Sequence, residues 1–331
     1  MGRRATAKEV AQAAGVSKWT VMRAFTPGAS ISEETRETVL KVAQKLNYSP
    51  NLLARSLATN LTNQVAVFVD DFGNPHKLPF LEKLTERFQA EGLIVMLINI
   101  NRHFDHVHAL LNADQRQVDA IVLFGTSFRD ETLRDKRLRR GLPPLIVLAR
   151  DSQIKGVPAV TCDTDVAMDE ICAYLATKPY RRPGFMPGPQ TLSTALRRRC
   201  LFKQCWTQRG ILDIPELPAE RYSVEAGAEA MRTYLAATPA DRRIDLVMCE
   251  NDVLATGAMD VIRGEFGLRV PADIAVIGFD NAGYAPSPAY DLTTYEQPID
   301  EMVEATVEMI LGRRDRKTVQ LRGRLVPRSS A

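Results

Sequence analysis

Several polar side chains follow apolar runs of the kind that form buried strands. Aspartate and asparagine oxygens, together with an arginine fork, are groups that hold vicinal hydroxyls through hydrogen bonds. The set therefore predicts non-covalent binding of a small polyhydroxylated molecule. Each carboxylate also precedes an expected helix, so a helix N-cap is the alternative, and we favour it for Asp252. These residues are Asp70, Asp71, Arg150, Asp163, Asn251, Asp252 and Asp280.

The cysteines and histidines do not have the spacing of a metal or redox site. The five cysteines contain no CxxC pair, and we expect free thiols. His103, His106 and His108 form an HxxHxH run that shares no single helix face, so we favour a surface helix over metal ligation. The sequence contains no GxGxxG, P-loop, GxSxG or HExxH motif. We therefore expect no metal, no cofactor and no enzymatic activity.

Positive charge is concentrated at the N-terminus. Residues 1–60 hold nine lysines and arginines against four acids, which gives a net charge of +5. The whole chain carries +3, so the remainder carries about −2. A small basic module of this kind favours contact with phosphate groups.

The stretch from residue 6 to 23 has the pattern of two short helices around a tight turn. Thr6 and Glu9 have capping-box spacing, Gly15 suits the end of a helix, and Ser17 suits the N-cap of the next one. A third helix is predicted after Ser32. Three such helices make a helix-turn-helix domain, whose second helix enters the DNA major groove. The alternative is a small helical bundle with no role on DNA, and the local charge argues against it.

From residue 64 onward, apolar runs alternate with amphipathic stretches. This pattern predicts two series of buried parallel strands joined by helices, and hence two similar α/β lobes. Ligands of such sheets bind at the carboxyl ends of the strands. The 331 residues suffice for both lobes beside the N-terminal domain. No segment resembles a signal peptide or a transmembrane helix, so we expect a cytoplasmic protein without a membrane partner.

The order and spacing of short motifs resemble those of LacI/GalR-family transcriptional regulators. The resemblance implies an all-α helix-turn-helix domain at 1–50, a hinge helix and linker at 51–62, and a two-lobed α/β domain at 63–331. That last domain resembles periplasmic binding proteins, and it binds an effector and dimerises. Lobe 1 would span about 63–160 and 292–321, and lobe 2 about 161–291 and 322–331. The matching pieces are AKEVAQAAGVS, ISEETRETVL, LNYSPN, LARSL, ENDVLATGAM, IAVIGFDN and LTTYEQPIDEM.

The resemblance also implies roles for individual residues on DNA. Leu57, beside Ala54, would enter the minor groove as an apolar wedge when the hinge helix orders on the operator. Lys18, Trp19 and Arg23 fall on base-facing positions, and the alternative for Trp19 is a half-buried packing residue. Met22 replaces a serine that is usual in the family. The implied DNA-contact residues are Thr6, Ser17, Lys18, Trp19, Thr20, Arg23, Ser32, Thr35, Tyr48, Asn51, Ala54 and Leu57.

A second set falls on positions that line the family's effector cleft. His76 replaces a frequent apolar aromatic, Thr164 a usual asparagine, and Leu196 a frequent arginine. These departures bear on which ligand is bound. The implied effector-binding residues are Asp70, Phe72, His76, Arg150, Arg198, Tyr222, Asn251 and Asp280.

Together these patterns predict a ligand-responsive, sequence-specific DNA-binding regulator. The expected form is a homodimeric repressor of carbohydrate uptake or catabolism genes, with a palindromic operator and a sugar-like effector between the lobes. A sugar-binding protein without a regulatory role on DNA is the first alternative, and an enzyme is the second. Whether the effector induces or co-represses stays open.

Overall fold

The chain folds into two compact units, Met1–Thr62 and Asn63–Ala331. In the part that the structure describes, no helix is long and apolar enough to cross a membrane. The predicted residues Asn51, Ala54, Leu57, His103 and Leu196 lie outside the described residues. The computed structural model describes residues 5–26, 28–50, 56, 61–100, 105–128, 130–134, 141–189 and 197–331.

Unit 1 is a three-helix domain. Thr6 and Glu9 form the predicted capping box, with Glu9 N donating to Thr6 Oγ1 at 3.3 Å and Thr6 N donating to Glu9 Oε2 at 2.7 Å. Gly15 ends the first helix at φ 66°, a conformation that glycine adopts without strain. One valine from each helix meets in the core, together with three alanines. The helices are α1 (Ala7–Ala14), α2 (Lys18–Ala24) and α3 (Glu33–Lys45).

The first lobe of unit 2 is built on a six-stranded parallel sheet of order β10-β5-β4-β3-β1-β2. Its central strands are fully buried because helices cover both faces. Helices α4 and α10 pack on one face, and α5 packs on the other. The elements are β1 (Gln64–Val69), α4 (Lys77–Ala90), β2 (Ile94–Asn99), α5 (His106–Gln115), β3 (Ala120–Phe124), β4 (Leu145–Leu148), β5 (Ala159–Cys162), α10 (Ile299–Ile310) and β10 (Val319–Leu321).

The second lobe has a three-stranded parallel sheet of order β6-β7-β8. Strand β9 is bridged to the region of β8 and pairs antiparallel with β11. Helices α6 and α7 pack with one apolar cluster of this lobe, and α8 and α9 pack with the other. The elements are α6 (Thr164–Ala176), β6 (Pro183–Met186), α7 (Arg198–Thr207), α8 (Val224–Ala237), β7 (Leu246–Cys249), α9 (Asp252–Asp260), β8 (Ala275–Ile277), β9 (Thr294–Glu296) and β11 (Arg324–Val326).

Two local features differ from the sequence interpretation. Residues from 292 onward were expected in lobe 1, yet Leu292 and Tyr295 pack in lobe 2, because β9 lies beside β8. The chain therefore returns to lobe 1 after β9. The amphipathic stretch near 130–140 also differs from the α-helix that its pattern favours, because its described part is a 3₁₀ turn over Asp130–Arg134.

Candidate DNA-binding surface and ligand cleft

Helices α2 and α3 begin in the same way. Ser17 Oγ accepts from Thr20 N at 3.0 Å, and Ser32 Oγ accepts from Thr35 N at 3.3 Å. In each pair the two hydroxyls also share a hydrogen bond, of 2.9 Å and 2.7 Å respectively. Hydroxyls beside the positive end of a helix dipole suit contact with an anionic phosphate oxygen.

The outer face of α2 carries an aromatic residue and a cation. Val21 and Ala24 are buried in the unit 1 core, whereas Trp19 is 65 % exposed. The Arg23 guanidinium lies 4.0 Å from the centroid of the Trp19 ring. That exposure does not fit the alternative of a half-buried packing residue. The two side chains instead form a composite surface on the side of α2 away from the core.

Two of the other residues that were predicted to contact DNA also have structural roles in unit 1. Thr6 caps α1, as described above. The ring of Tyr48 packs edge-on against Phe25, with centroids 5.7 Å apart, and burial raises the pKa of its hydroxyl. Neither role prevents a DNA contact, but both residues also stabilise unit 1.

Sequence reasoning missed Arg36, which secures the turn between α2 and α3. Its Nη1 donates to Ala24 O at 2.8 Å, and its Nη2 donates to Ala29 O at 3.1 Å. An arginine on a helix gives no sequence signal of contacts with carbonyls seven and twelve residues away. Arg36 therefore has a structural role within unit 1.

Unit 2 contains a cleft lined by residues of both lobes, most of them polar. The cavity measures about 580 Å³ including its open mouth. Six of the eight predicted effector-binding residues line it, and Asp70 and Phe72 do not. The six are His76, Arg150, Arg198, Tyr222, Asn251 and Asp280.

Asp70 lies behind the cleft wall. Its carboxylate accepts from Lys77 Nζ and, at 2.5 Å, from Ser127 N. Burial alone would raise the pKa of Asp70, but Lys77 and Ser127 bring it below its ordinary value. Asp70 therefore orients Lys77, a lining residue that the sequence did not single out. Phe72 is 41 % exposed outside the cleft, so the structure does not bring this predicted effector-binding residue to the site.

Arg150 lines the cleft, but its guanidinium is occupied by protein groups. Nη1 and Nη2 donate to the two carboxylate oxygens of Asp130 at 3.1 Å and 2.7 Å. Nε donates to Gly125 O at 2.7 Å, and Nη1 also donates to Asp151 O at 2.9 Å. The Arg150 guanidinium, which was expected to bind ligand hydroxyls, is therefore hydrogen-bonded to the loops around the cleft instead.

Arg198 differs from Arg150 in keeping a donor unused. Its guanidinium lies 3.5 Å from the ring centroid of Phe279, and its Nη1 donates to Glu250 O at 2.7 Å. Its buried Nε has no hydrogen-bond partner among the described residues. A buried donor of this kind is costly unless a ligand or water accepts from it.

Tyr222 and Glu250 form a second polar group at the lobe 2 wall. Tyr222 Oη donates to Glu250 Oε2 at 3.1 Å, and Gly188 N donates to the same oxygen at 2.5 Å. Gly188 is required there because an added Cβ would lie 2.1 Å from the Tyr222 ring. Burial raises the pKa of the Glu250 carboxyl.

The N-cap of α9 is Asn251 rather than the favoured Asp252. Asn251 Oδ1 accepts from Leu254 N at 3.1 Å, so this residue both caps α9 and lines the cleft. Asp252 instead accepts from Thr294 Oγ1 at 2.6 Å and from Ala282 N at 2.7 Å. Asp252 therefore ties α9 to the neighbouring loop and strand.

One polar chain connects the two lobes through the cleft. Gln297, in the crossover after β9, donates from Nε2 to Asp280 Oδ1 at 2.7 Å and lies 3.2 Å from His76 Nε2. Burial lowers the pKa of His76 to about 3, so the ring is neutral and its Nε2 accepts from Gln297. Burial raises the pKa of Asp280. Asp280 also has φ 124°, a strained conformation of the kind that clusters at ligand sites.

Metal chemistry has no support in the described residues, where no group of three potential ligands occurs. The five cysteines are free thiols.

A helix-turn-helix unit and a two-lobed unit with a polar cleft define a DNA-binding regulator with an effector domain. Residues 6–51 match bacterial regulatory proteins of the lacI family, and residues 172–331 match the periplasmic binding protein-like domain. The chain belongs to the LacI family: it is a DNA-binding repressor with an effector domain and is not an enzyme.

Individual relatives cover nearly the whole chain. The HTH-type transcriptional repressor PurR of Pasteurella multocida is 30% identical over 343 residues, 98% of each protein. The lac repressor dimer bound to operator has the same fold, with a TM-score of 0.85 at 22% identity over 99% of each chain. The transcriptional regulator CelR in complex with cellobiose has a TM-score of 0.69 at 24% identity, covering 99% of this chain and 100% of its own.

Proposed function

We propose that this repressor is a homodimer whose affinity for a palindromic operator is set by a small uncharged polyol, a sugar or sugar derivative, bound in the cleft. The observation that carries the proposal is the buried Nε of Arg198, which has no acceptor among the described residues and lies at a cleft lined from both lobes. A sugar hydroxyl or ring oxygen supplies that acceptor. An uncharged ligand fits because Lys77 is already paired with Asp70, and the charge of Arg198 interacts with the buried carboxyl of Glu250.

The proposed mechanism is linkage between the cleft and the DNA. A ligand that contacts both lobes stabilises one lobe arrangement, and that arrangement changes how the hinge segment around Leu57 meets the minor groove. Coupling of this type is typically worth about 1–3 kcal/mol, which corresponds to a 5- to 150-fold change in operator affinity. The sign of the change distinguishes an inducer from a co-repressor.

The homodimer is supported by exposed apolar side chains on the edge strand and on one helix of the first lobe. β2 is an edge strand, and its Ile94 and Leu97 are exposed, as is Leu78 on α4. Exposed apolar edges favour pairing with another chain, and a second copy matches a two-fold symmetric operator. Ile94→Glu should shift the sedimentation coefficient towards the monomer and weaken operator binding, whereas Leu212→Glu, at an exposed site elsewhere, should change neither.

A planar nitrogen heterocycle is the competing ligand class, because Phe124 and Tyr222 also line the cleft. Such a ligand would stack on these aromatic rings. The polar groups of Asn251, Asp280 and Gln297 form hydrogen bonds with the hydroxyls of a sugar equally well. Calorimetric titration of purified protein with monosaccharides, disaccharides, nucleobases and nucleosides separates the classes.

The decisive experiment is selection of genomic DNA by the purified full-length protein across a range of salt concentrations. A palindrome near carbohydrate uptake or catabolism genes, with an affinity that a sugar changes, would support the proposal. Binding with a steep salt dependence but no preferred sequence would leave only the phosphate contribution and refute it. The proposed site of action is the cytoplasm, where the operator lies.

A further inference from the structure

Two cysteines of the second lobe face each other across a pair of packed helices. Cys172 lies on α6 and Cys205 lies on α7, and these two helices pack side by side. The two thiols share a hydrogen bond. Both are free and partly exposed, so a small reagent can reach them. Neither residue lines the ligand cleft.

The periodicity of the two helices explains where the cysteines lie. Ile171 on α6 and Trp206 on α7 are buried in one apolar cluster. Cys172 follows the first of these and Cys205 precedes the second, so each thiol lies at the edge of a buried stripe. Arg209, four residues after Cys205, donates from Nη2 to Cys172 O at 2.7 Å. This hydrogen bond ties the end of α7 to α6 beside the two thiols.

The surroundings make the two thiols unequal. The hydrogen bond from Cys172 lowers the pKa of Cys205, and the positive charge of Arg209 acts in the same direction. Burial and the carboxylate of Asp169 oppose this shift. The same hydrogen bond, together with burial, raises the pKa of Cys172. Cys205 is therefore the thiol that ionises first, and the thiolate is the nucleophilic form of cysteine.

We propose that Cys172 and Cys205 form a redox-sensitive dithiol, which a peroxide converts to a disulfide between α6 and α7. The Cys205 thiolate attacks one oxygen of hydrogen peroxide, which forms a sulfenic acid and releases hydroxide. The Cys172 sulfur then attacks the sulfenic sulfur, forms the S–S bond and releases water. In total, two electrons pass from the two sulfurs to one peroxide, and two water molecules form. A dithiol reductant reverses the reaction by thiol–disulfide exchange.

The other cysteines do not have this arrangement. Burial raises the pKa of Cys162 to about 11, and burial also raises the pKa of Cys249, so both stay protonated within the core. Cys200 is exposed on α7. It precedes Cys205 by five residues, a spacing that places the two on different sides of a helix. Cys200 is therefore a matched control thiol on the same helix.

The disulfide would restrain the second lobe. Helix α6 follows β5 directly, where the chain first leaves the sheet of lobe 1, and α7 begins with the cleft residue Arg198. Closing the chain between residues 172 and 205 restricts the unfolded state. We therefore expect oxidation to lower the unfolding equilibrium constant of this lobe about thirtyfold or more, the low end of the usual effect of a disulfide.

Peptide mapping without reductant tests the proposal on the full-length protein. The reduced protein is treated with hydrogen peroxide, its remaining thiols are alkylated, and it is then digested. We expect one cross-linked peptide pair that joins Cys172 to Cys205, lighter by two hydrogen atoms than the two thiol peptides and separated by dithiothreitol. Cys200→Ser should yield the same pair. Urea unfolding of the oxidised and reduced forms measures the effect on stability.

Two variants test the chemical roles of the thiols. Cys172→Ser keeps a hydrogen-bond donor but cannot close the disulfide, so the reaction should stop at the sulfenic acid of Cys205, which dimedone traps. Cys172→Ala also removes the donor, and trapping should be slower by about threefold or more. Circular dichroism checks that both variants fold, which is expected because Cys172 is only partly buried.

Several results would overturn the proposal. These are a disulfide that joins Cys200 to either cysteine, the absence of any Cys172–Cys205 peptide pair, and oxidation of wild-type Cys205 to sulfinic acid. Equal trapping rates in Cys172→Ser and Cys172→Ala would contradict the role of the hydrogen bond. An unchanged unfolding constant after complete cross-linking would contradict the restraint. None of these measurements involves operator or ligand, so they test this proposal independently of the proposed function.

Discussion

The guanidinium carbon of Arg198 lies 3.5 Å from the ring centroid of Phe279, while Nη1 donates to Glu250 O. A cation–π contact removed from water is worth about 2 kcal/mol or more. These two contacts fix the planar guanidinium of Arg198, which is the first residue of α7. The remaining buried Nε–H is thereby held at the cleft wall.

Replacing Arg198 should uncouple the effector from the DNA. Arg198→Lys keeps the charge but loses the planar fork and the Nε donor, so we expect operator affinity to stop responding to effector. Operator affinity without effector should stay within about twofold, because Arg198 lies in unit 2. Anisotropy titrations of labelled operator with and without ligand measure both quantities.

The adjacent residue provides the control for that experiment. Arg197 is exposed and pairs with Asp165 at 2.5 Å, so Arg197→Lys should respond to the effector like the wild type. A normal response from Arg198→Lys would remove Arg198 from the site.

Gln297 should determine whether the cleft binds its ligand well. Gln297→Glu removes the donor to Asp280 and places a second carboxyl group beside it, so we expect ligand affinity to fall by about tenfold or more. Calorimetric titration measures the loss. Gln320→Glu introduces the same change at an exposed site on β10 and should leave affinity unaltered. Equal affinities for the two variants would contradict a role for the His76–Gln297–Asp280 chain.

The order of helices and strands was predictable because periodicity is a local property of the sequence. The amphipathic pattern over 224–237 coincides with α8, and the apolar run at 159–162 coincides with β5. The lobe that holds residues 292–296 was not predictable, because it depends on which strand β9 lies beside. Local patterns determine elements, whereas pairing between distant elements is decided by the fold as a whole.

The same difference between local sequence patterns and tertiary contacts applies to the cleft residues. Arg150 and Arg198 looked alike in sequence, yet Asp130 occupies the first and no described residue accepts from Nε of the second. Lys77 and Gln297 were missed because a lysine near a helix start and a glutamine before a proline have many surface roles. A polar residue's partners depend on tertiary contacts, which one sequence does not reveal.

Arg36 should control the stability of unit 1. Arg36→Ala leaves the carbonyls of Ala24 and Ala29 without their donor, and we expect a loss of about 2 kcal/mol in the free energy of unfolding. For a domain of this size, that lowers the melting temperature of unit 1 by roughly 10 °C. Differential scanning calorimetry of the full chain should show the change in the unit 1 transition. Lys41→Ala removes only an exposed pair with Glu37 and should shift the transition little; a similar shift in both variants would refute the role of Arg36.

Asp280 should make stability fall as the pH rises towards neutrality. Burial raises the pKa of Asp280 to about 7, and the nearby Asp252 has its pKa raised to about 7 chiefly by burial and further by Asp280. An unfolded aspartate titrates near pH 3.9, so the folded state holds this proton more tightly. The contribution of Asp280 to the free energy of unfolding is therefore greatest below about pH 4 and is lost as the pH rises through about 7.

Asp280→Asn removes one of these protons while keeping an acceptor oxygen for Gln297. Between pH 5 and 8, the stability of the variant relative to the wild type should rise by about 3 kcal/mol, since pH 5 lies two units below the pKa and one unit corresponds to about 1.4 kcal/mol. His76 acts in the opposite sense in both proteins, because burial lowers its pKa to about 3 and its stability contribution is lost as pH falls below about 6.5. Urea unfolding at several pH values measures the difference, and parallel curves for variant and wild type would show that Asp280 is ionised throughout this range.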